Sequence, residues 1–206
     1  MFDSTKHHVV LASGSPRRQE LLRRIGIADF DIAVTQTDET YPEGLTPEET
    51  VAYIARGKAE AAKALTSPGD IVITADTMVF LGGERLGKPR DAEDALRMLR
   101  ELSGNRHTVC TGVTVRQDEK LNCFTTSSDV YFRALDDTEL LAYIATGEPL
   151  DKAGAYGIQG LGSLLVERVE GDVFNVIGLP VMPLSRVLRE FGINLLYYGR
   201  RGFRPV

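Results

Sequence analysis

Residues 71–89, IVITADTMVFLGGERLGKP, form an almost wholly apolar run that is broken at its centre by Ala75-Asp76-Thr77. Residues 71–75 and 78–81 read as one strand buried on both faces, rich in Ile and Val and too short for a helix between its flanking glycines. An ionised Asp inside such a strand is costly unless it has partners. Two readings stand side by side. Asp76 either sits at a bulge and caps a neighbouring loop, or it is an acid, base or metal ligand held on a rigid element, where such groups are best placed. A second chemical cluster lies at Ser13-Gly14-Ser15-Pro16-Arg17-Arg18, where Ser15 suits a helix N-cap and Pro16 the first helical turn. Two arginines there oppose the helix dipole and invite an anion, so the turn is a phosphate site in outline, unless the arginines merely pair with nearby carboxylates.

The elements that position these groups follow from pattern. Residues 8–12 form a short apolar strand ahead of the arginine turn, and residues 30–34 form another. Thr46, Pro47 and Glu49 make a capping box that opens a helix carrying Val51, Ile54, Ala55, Ala59 and Ala62 on one face. Lys58 lies on that helix, and by itself reads as a solvated surface lysine. Residues 82–89, GGERLGKP, match a phosphate-loop pattern except that Pro89 replaces the Ser or Thr that would hold magnesium. The glycines there read as a hairpin turn, so a phosphate-loop NTPase is rejected. Lys88 remains a phosphate contact because it follows the strand of Asp76 by one short turn.

Residues 91–102 read as an amphipathic helix, residues 108–116 and 121–132 as a long hairpin, and residues 136–146 as a helix stopped by Gly147. Residues 151–163, DKAGAYGIQGLGS, make a loop with Gly154, Gly157, Gly160 and Gly162 around Tyr156 and Gln159. So many glycines imply a close backbone approach, to a ligand or within a tightly packed surface loop, and their spacing is not that of a dinucleotide fold. Residues 164–169 and 173–177 read as strands, a last helix runs from Pro180 to about Phe191, and residues 199–206 read as a basic tail. The change from strand–helix alternation to a hairpin near residue 104 suggests two lobes within one domain.

Composition limits the function classes. The chain has 206 residues and a net charge of −5, with 43% hydrophobic and 26% charged residues. Such a field repels nucleic acid and anionic membranes, so no nucleic-acid partner is expected and an anionic ligand needs a local cluster of Lys and Arg. Cys110 and Cys123 lack metal-type spacing and read as packed thiols in a reducing compartment. The first apolar run is too short for a signal peptide and no stretch reaches membrane-span length, so a cytosolic protein without a membrane partner is expected.

The motifs Leu11-Ala12-Ser13-Gly14-Ser15-Pro16-Arg17-Arg18, Ala75-Asp76-Thr77, Gly87-Lys88-Pro89-Arg90-Asp91-Ala92 and Asp151 through Gly160, taken in order over nearly the whole chain, resemble the signatures of the Maf family of nucleoside triphosphate pyrophosphatases. The resemblance implies an α/β fold: an elongated mixed sheet flanked by helices, with two lobes around a central active-site cleft, akin to the inosine triphosphate pyrophosphatases. It implies cleavage of a nucleoside triphosphate between the α and β phosphates, with a divalent metal cation, Mg or Mn. On matching positions, Asp76 resembles the proton acceptor and a metal ligand, and Glu39 the other acidic metal ligand. Arg17, Arg18, Lys58 and Lys88 resemble the triphosphate clamp, Lys88 counting with Asp76 among the catalytic groups. Ser13 stands at the phosphate turn and Lys152 contacts substrate. Arg18, Thr77 and Gln159 match positions tied to base choice in the dTTP and UTP branch, which the unbroken DKAGAYGIQG also favours over the branch resembling 7-methyl-GTP hydrolases. A homodimer is the assembly common in families of this kind.

The chemistry agrees with that resemblance. Attack on the α-phosphorus builds charge on oxygens, which metal, Lys and Arg stabilise, and a water with a carboxylate base removes any need for a protein nucleophile. Ser13 and Ser15 lack the G-x-S-x-G elbow of a serine hydrolase, and His7 and His8 lack an evident partner carboxylate. Two alternatives remain: a nucleotide-binding regulator of cell division that does not turn its ligand over, and a pyrophosphatase for 7-methyl-GTP or deaminated purine nucleotides.

Overall fold

In a computed structural model describing residues 7–35, 37 and 40–196, the elements follow one another as strands and helices joined by short turns. Strand β1 (Val9–Leu11) leads into helix α1 (Pro16–Arg24), β2 (Asp31–Ile32), α2 (Pro47–Ala61) and β3 (Ile71–Leu81). A tight turn at Gly82 and Gly83 returns the chain along β3 as β4 (Glu84–Leu86). Helix α3 (Ala92–Leu102) is followed by the hairpin β5 (Arg106–Gln117) and β6 (Lys120–Phe132), then α4 (Asp137–Ala145), β7 (Val166–Glu170), α5 (Val173–Ile177) and α6 (Val181–Glu190). The seven strands pair in the order β2-β1-β3-β5-β6-β7 with β4 beside β3. The sheet is mixed: β1 runs parallel to β2 and β3, and the pairs β3–β4 and β6–β7 are antiparallel.

Local chemistry accounts for the helix starts. At α2 the Thr46 hydroxyl accepts the Glu49 N–H at 3.2 Å and the Glu49 carboxylate accepts the Thr46 N–H at 2.8 Å, the expected capping box. Asp136 and Glu139 repeat it at α4, and the Asp91 side chain accepts the Asp94 N–H at α3. Three sequence expectations change. Residues 30–34 contribute only a two-residue exposed strand. Residues 151–163, read as a loop, are shaped by three short 3₁₀ turns, Glu148–Asp151, Ala153–Ala155 and Gly160–Leu164. Residues 173–177 are helical, not extended: Asp172 accepts the Phe174 N–H at 2.8 Å, and the turn carries the Asn175 side chain inward to donate to the Val109 carbonyl and the Ser128 hydroxyl, both at 2.9 Å. The basic tail lies outside the described residues.

The chain divides into two compact units, one comprising Met1–Asp76, Gly112–Thr125 and Gly178–Val206, the other Thr77–Thr111 and Thr126–Ile177. In the first, Val10, Ala12, Ala62 and Val72 pack together, and α1, α2 and α6 bury Leu22, Val51 and Leu188. In the second, Ala95, Leu99 and Leu102 of α3 meet Leu140, Tyr143 and Ile144 of α4 and Val79, Val130 and Phe132 of the strands. Both cysteines are free thiols, Cys110 buried and Cys123 half-buried. Among the described residues, no helix is long and apolar enough to cross a membrane.

One polar group sits inside the second core. His107, 2% exposed, packs edge-on against Phe132 and Tyr156 at ring-centroid distances of 5.1 and 5.2 Å, with its Nε2 2.7 Å from the Tyr156 hydroxyl. Its Nδ1 has no hydrogen-bond partner. Burial pushes the imidazole down to about 4, against the weaker opposing pull of the Asp129 charge. The unfolded chain therefore binds this proton more readily than the folded one, so the neutral ring's contribution is complete above the unfolded value of about 6.5 and is lost as pH falls toward 4. Thermal or urea unfolding between pH 7 and pH 4 should show a loss from this group on the order of 3 kcal/mol. His107→Gln should flatten that slope; an unchanged slope would assign it to carboxylates instead.

Candidate functional site

Asp76 lies within β3 (Ile71–Leu81), so the carboxylate is carried by a strand. Its neighbour is Lys58 of α2: Nζ stands 2.6 Å from Oδ1, with the two side chains 13% and 7% exposed. The second oxygen, Oδ2, is buried and has no hydrogen-bond partner. Lys58 is therefore not the solvated surface lysine that its position on an amphipathic helix suggests.

Three features aim Lys58 at Asp76. Thr74, two residues earlier on the same face of β3, donates its hydroxyl to the carbonyl of Ala55 at 2.7 Å. Ala55 precedes Lys58 by three residues, so the Thr74–Ala55 and Asp76–Lys58 links fix one register between helix and strand. The third feature is Gly112 on β5. A Cβ there would lie 2.4 Å from the Val51 carbonyl oxygen and 2.8 Å from the Ala52 nitrogen, so only glycine lets the helix backbone come this close.

The arginine turn belongs to the same unit. α1 starts with Pro16, has no acidic residue in its first turn, and its N-cap Ser15 makes no side-chain capping bond. The Ser13 hydroxyl instead accepts the Ser15 N–H at 3.3 Å and Arg18 Nη1 at 3.1 Å, while Arg18 Nε donates to the Gly178 carbonyl at 2.9 Å. Arg18 is thereby fixed at both ends of its guanidinium. Arg17 follows Pro16 in the same first turn. Glu39 lies outside the described residues, and among those described no group of three acidic, His or Cys side chains is assembled for a metal.

The other unit carries Thr77, Lys88, Lys152 and Gln159. The Thr77 hydroxyl bonds Thr111 at 2.9 Å, and Thr111 donates on to the Asn175 carbonyl at 3.1 Å. Lys88 is exposed and, among the described residues, in no ion pair. Its turn is tied to the glycine-rich stretch, since the Gly154 N–H donates to the Gly87 carbonyl at 3.0 Å. Lys152 Nζ donates to the Glu148 carbonyl and to Asp151, each at 2.6 Å. The Gln159 amide is half-buried and makes no hydrogen bond within the described residues. Much of the close approach announced by the glycines is made by the protein to itself: a Cβ on Gly162 would sit 2.1 Å from the Gly157 carbonyl oxygen.

The pattern of the Maf-like protein family matches residues 8–191. The chain belongs to the Maf-like family. Among curated relatives, a dTTP/UTP pyrophosphatase of Exiguobacterium sibiricum is 48% identical over 193 residues, covering 94% of this chain and 97% of that protein. One of Anaeromyxobacter dehalogenans is 50% identical over 91% of this chain and 95% of its own, and one of Bacillus velezensis 46% identical over 90% and 97%. Among solved structures, a HAM1 protein from Coxiella burnetii aligns with a TM-score of 0.48 at 14% identity, over 89% of this chain and 98% of that one.

The residues that hold these groups in place within each unit carry little sequence signal. Thr74 and Gly112 looked like ordinary strand residues, and Asn175 was hidden in a stretch read as extended. A polar Thr and a Gly inside otherwise apolar strands were the available signals. Gly112→Ala should force α2 off β5, lowering stability by roughly 2–3 kcal/mol and loosening the Lys58–Asp76 pair. Denaturant unfolding together with a crystal structure of the variant checks both effects; unchanged stability would show that the helix relaxes freely.

Proposed function

We propose that this protein is a nucleoside triphosphate pyrophosphatase that hydrolyses dTTP and UTP to the monophosphate and pyrophosphate. The observation that carries the reading is the buried Asp76 carboxylate with one oxygen engaged by Lys58 and the other unpartnered. An orphaned buried oxygen is costly, and its cost is relieved when a ligand atom or a water arrives. The relatives' shared name, dTTP/UTP pyrophosphatase, supports the substrate class.

In this reading Asp76 Oδ2 accepts the proton of a water whose oxygen forms a bond to the α-phosphorus. The bond from that phosphorus to the α–β bridging oxygen breaks, and pyrophosphate leaves with the electron pair. Lys58 occupies Oδ1, so the carboxylate cannot rotate away from its task. Arg17, Arg18, Lys58 and Lys88 bind the triphosphate, with Ser13 shaping the turn and holding Arg18. Thr77 and Gln159, with Arg18, select the base, and Lys152 contacts substrate from its own loop; these roles rest on the motifs. The Gln159 amide offers both donor and acceptor to a pyrimidine edge. A divalent cation, Mg or Mn, would be held by Asp76 and Glu39. When bound, it would neutralise charge on the phosphates. The unpartnered Asp76 oxygen is a hard donor of the kind such an ion takes. The proposed setting is the cytosol and the proposed assembly a homodimer.

Pyrophosphate release from dTTP, UTP, CTP, 7-methyl-GTP and ITP, with magnesium or manganese, tests the reading. The wild type should prefer dTTP and UTP, and Asp76→Asn should lose at least about 100-fold in kcat while still binding nucleotide. Binding without turnover by the wild type would point to a regulator, and ITP as best substrate to a purine-cleansing enzyme.

A further inference from the structure

Glu148 stands just after the Gly147 stop of α4 and is half engulfed by the glycine-rich stretch that follows. Its carboxylate makes three hydrogen bonds: Oε1 accepts the Tyr143 hydroxyl at 3.0 Å and the Gly162 N–H at 3.1 Å, and Oε2 accepts the Leu161 N–H at 3.1 Å. The Tyr143 hydroxyl in turn accepts the Gly157 N–H at 3.3 Å. One carboxylate therefore reaches both ends of the segment 157–162, at Leu161 and Gly162 directly and at Gly157 through Tyr143. The fit is close, because a Cβ on Gly160 would lie 2.8 Å from Oε2 and one on Gly162 2.7 Å from the Tyr143 hydroxyl. Gln159, at the middle of the clasped segment, has its amide unengaged. Lys152 is coupled to the same segment, since its Cδ and Cε lie only 2.8 Å from where a Gly157 Cβ would be.

We infer that Glu148 is a positioning residue for substrate recognition: with Tyr143 it clasps the 157–162 segment and holds Gln159, and the stem of Lys152 beside it, in the arrangement that receives the nucleotide. The inference rests on the pyrophosphatase reading for the roles of Gln159 and Lys152, but the clasp itself does not. Glutamine at 148 keeps the size and one acceptor yet sets an NH₂ against a backbone N–H. Aspartate keeps the charge but is one methylene short of spanning both bonded amides. Phenylalanine at 143 keeps the buried ring and removes only the hydroxyl bridge.

Glu148→Gln should raise KM for dTTP and UTP roughly tenfold with kcat within about twofold, because the segment must be ordered anew on each binding event. The preference for dTTP over CTP in kcat/KM should fall at least about fivefold, and Glu148→Asp should not rescue it. Tyr143→Phe should act in the same direction, about threefold in KM. Amide exchange at Gly157, Leu161 and Gly162 should quicken at least about tenfold in Glu148→Gln. A lower melting temperature with KM and base preference unchanged would overturn the inference and leave Glu148 a stabilising residue only. Unchanged exchange at the three amides would overturn the clasp outright. If the wild type itself neither binds nor hydrolyses any nucleotide, it is the pyrophosphatase reading that fails, and the exchange measurement still passes judgement on the clasp.

Discussion

A buried carboxylate inside a largely buried strand is the constraint on which this molecule turns. Asp76 is 5% exposed, and a charge at that depth must be met by an opposite charge or by hydrogen bonds. Lys58 meets it from a helix remote in sequence, and that meeting dictates much of the surrounding packing. The helix must lie close enough for a lysine to reach the strand, which Gly112 permits by having no Cβ. It must also lie in register, which the Thr74 hydroxyl sets through the Ala55 carbonyl. The pair still leaves one carboxylate oxygen without a partner. Among the buried polar atoms of the described residues left without a partner, which include His107 Nδ1 and Asn175 Oδ1, this is the one that belongs to a carboxylate.

The second unit solves a different problem, that of giving a defined shape to a segment with many glycines. Glycine costs conformational entropy on folding, so a glycine-rich stretch orders only if its backbone is fastened at several points. Here the fastenings are polar and converge on Glu148 and Tyr143, with a further backbone bond from Gly154 to Gly87. The glycines serve these fastenings: side chains at 160 or 162 would collide with the groups doing the holding. The loop is thus shaped by hydrogen bonds to its backbone, which leaves the amide of Gln159 available.

Polar side chains in the core of that unit have a similar logic. Asn175 donates to the Val109 carbonyl and the Ser128 hydroxyl, and its own carbonyl receives Thr111, which meets Thr77. The network links α5 to the ends of the long strands and holds the hydroxyl of Thr77 in a set position. His107 is kept neutral nearby by burial, paired with the Tyr156 hydroxyl. Each still leaves one buried atom without a partner, Asn175 Oδ1 and His107 Nδ1, but in a neutral side chain, whereas the unpartnered oxygen of Asp76 belongs to an acid paired with a lysine.

Helix starts, the hairpins, the central strand and the order of the chemically marked motifs were legible in the sequence, because capping boxes, apolar runs and turn glycines act over a few residues. Ser13, Arg17, Asp76 and Lys88 could be singled out for the same reason: each departs from its immediate surroundings. The sequence also excluded a phosphate-loop NTPase, since Pro89 and the Gly82–Gly83 turn are local facts. What the tertiary structure alone decided is which distant residues meet. That Lys58 is buried against Asp76, that Gly112 exists to admit a helix backbone, that residues 173–177 coil to bring Asn175 inward, and that Glu148 gathers a loop all depend on contacts between segments far apart in the chain. Side-chain burial and long-range hydrogen bonding are properties of packing, and a linear pattern records only the propensities that packing then accepts or overrides.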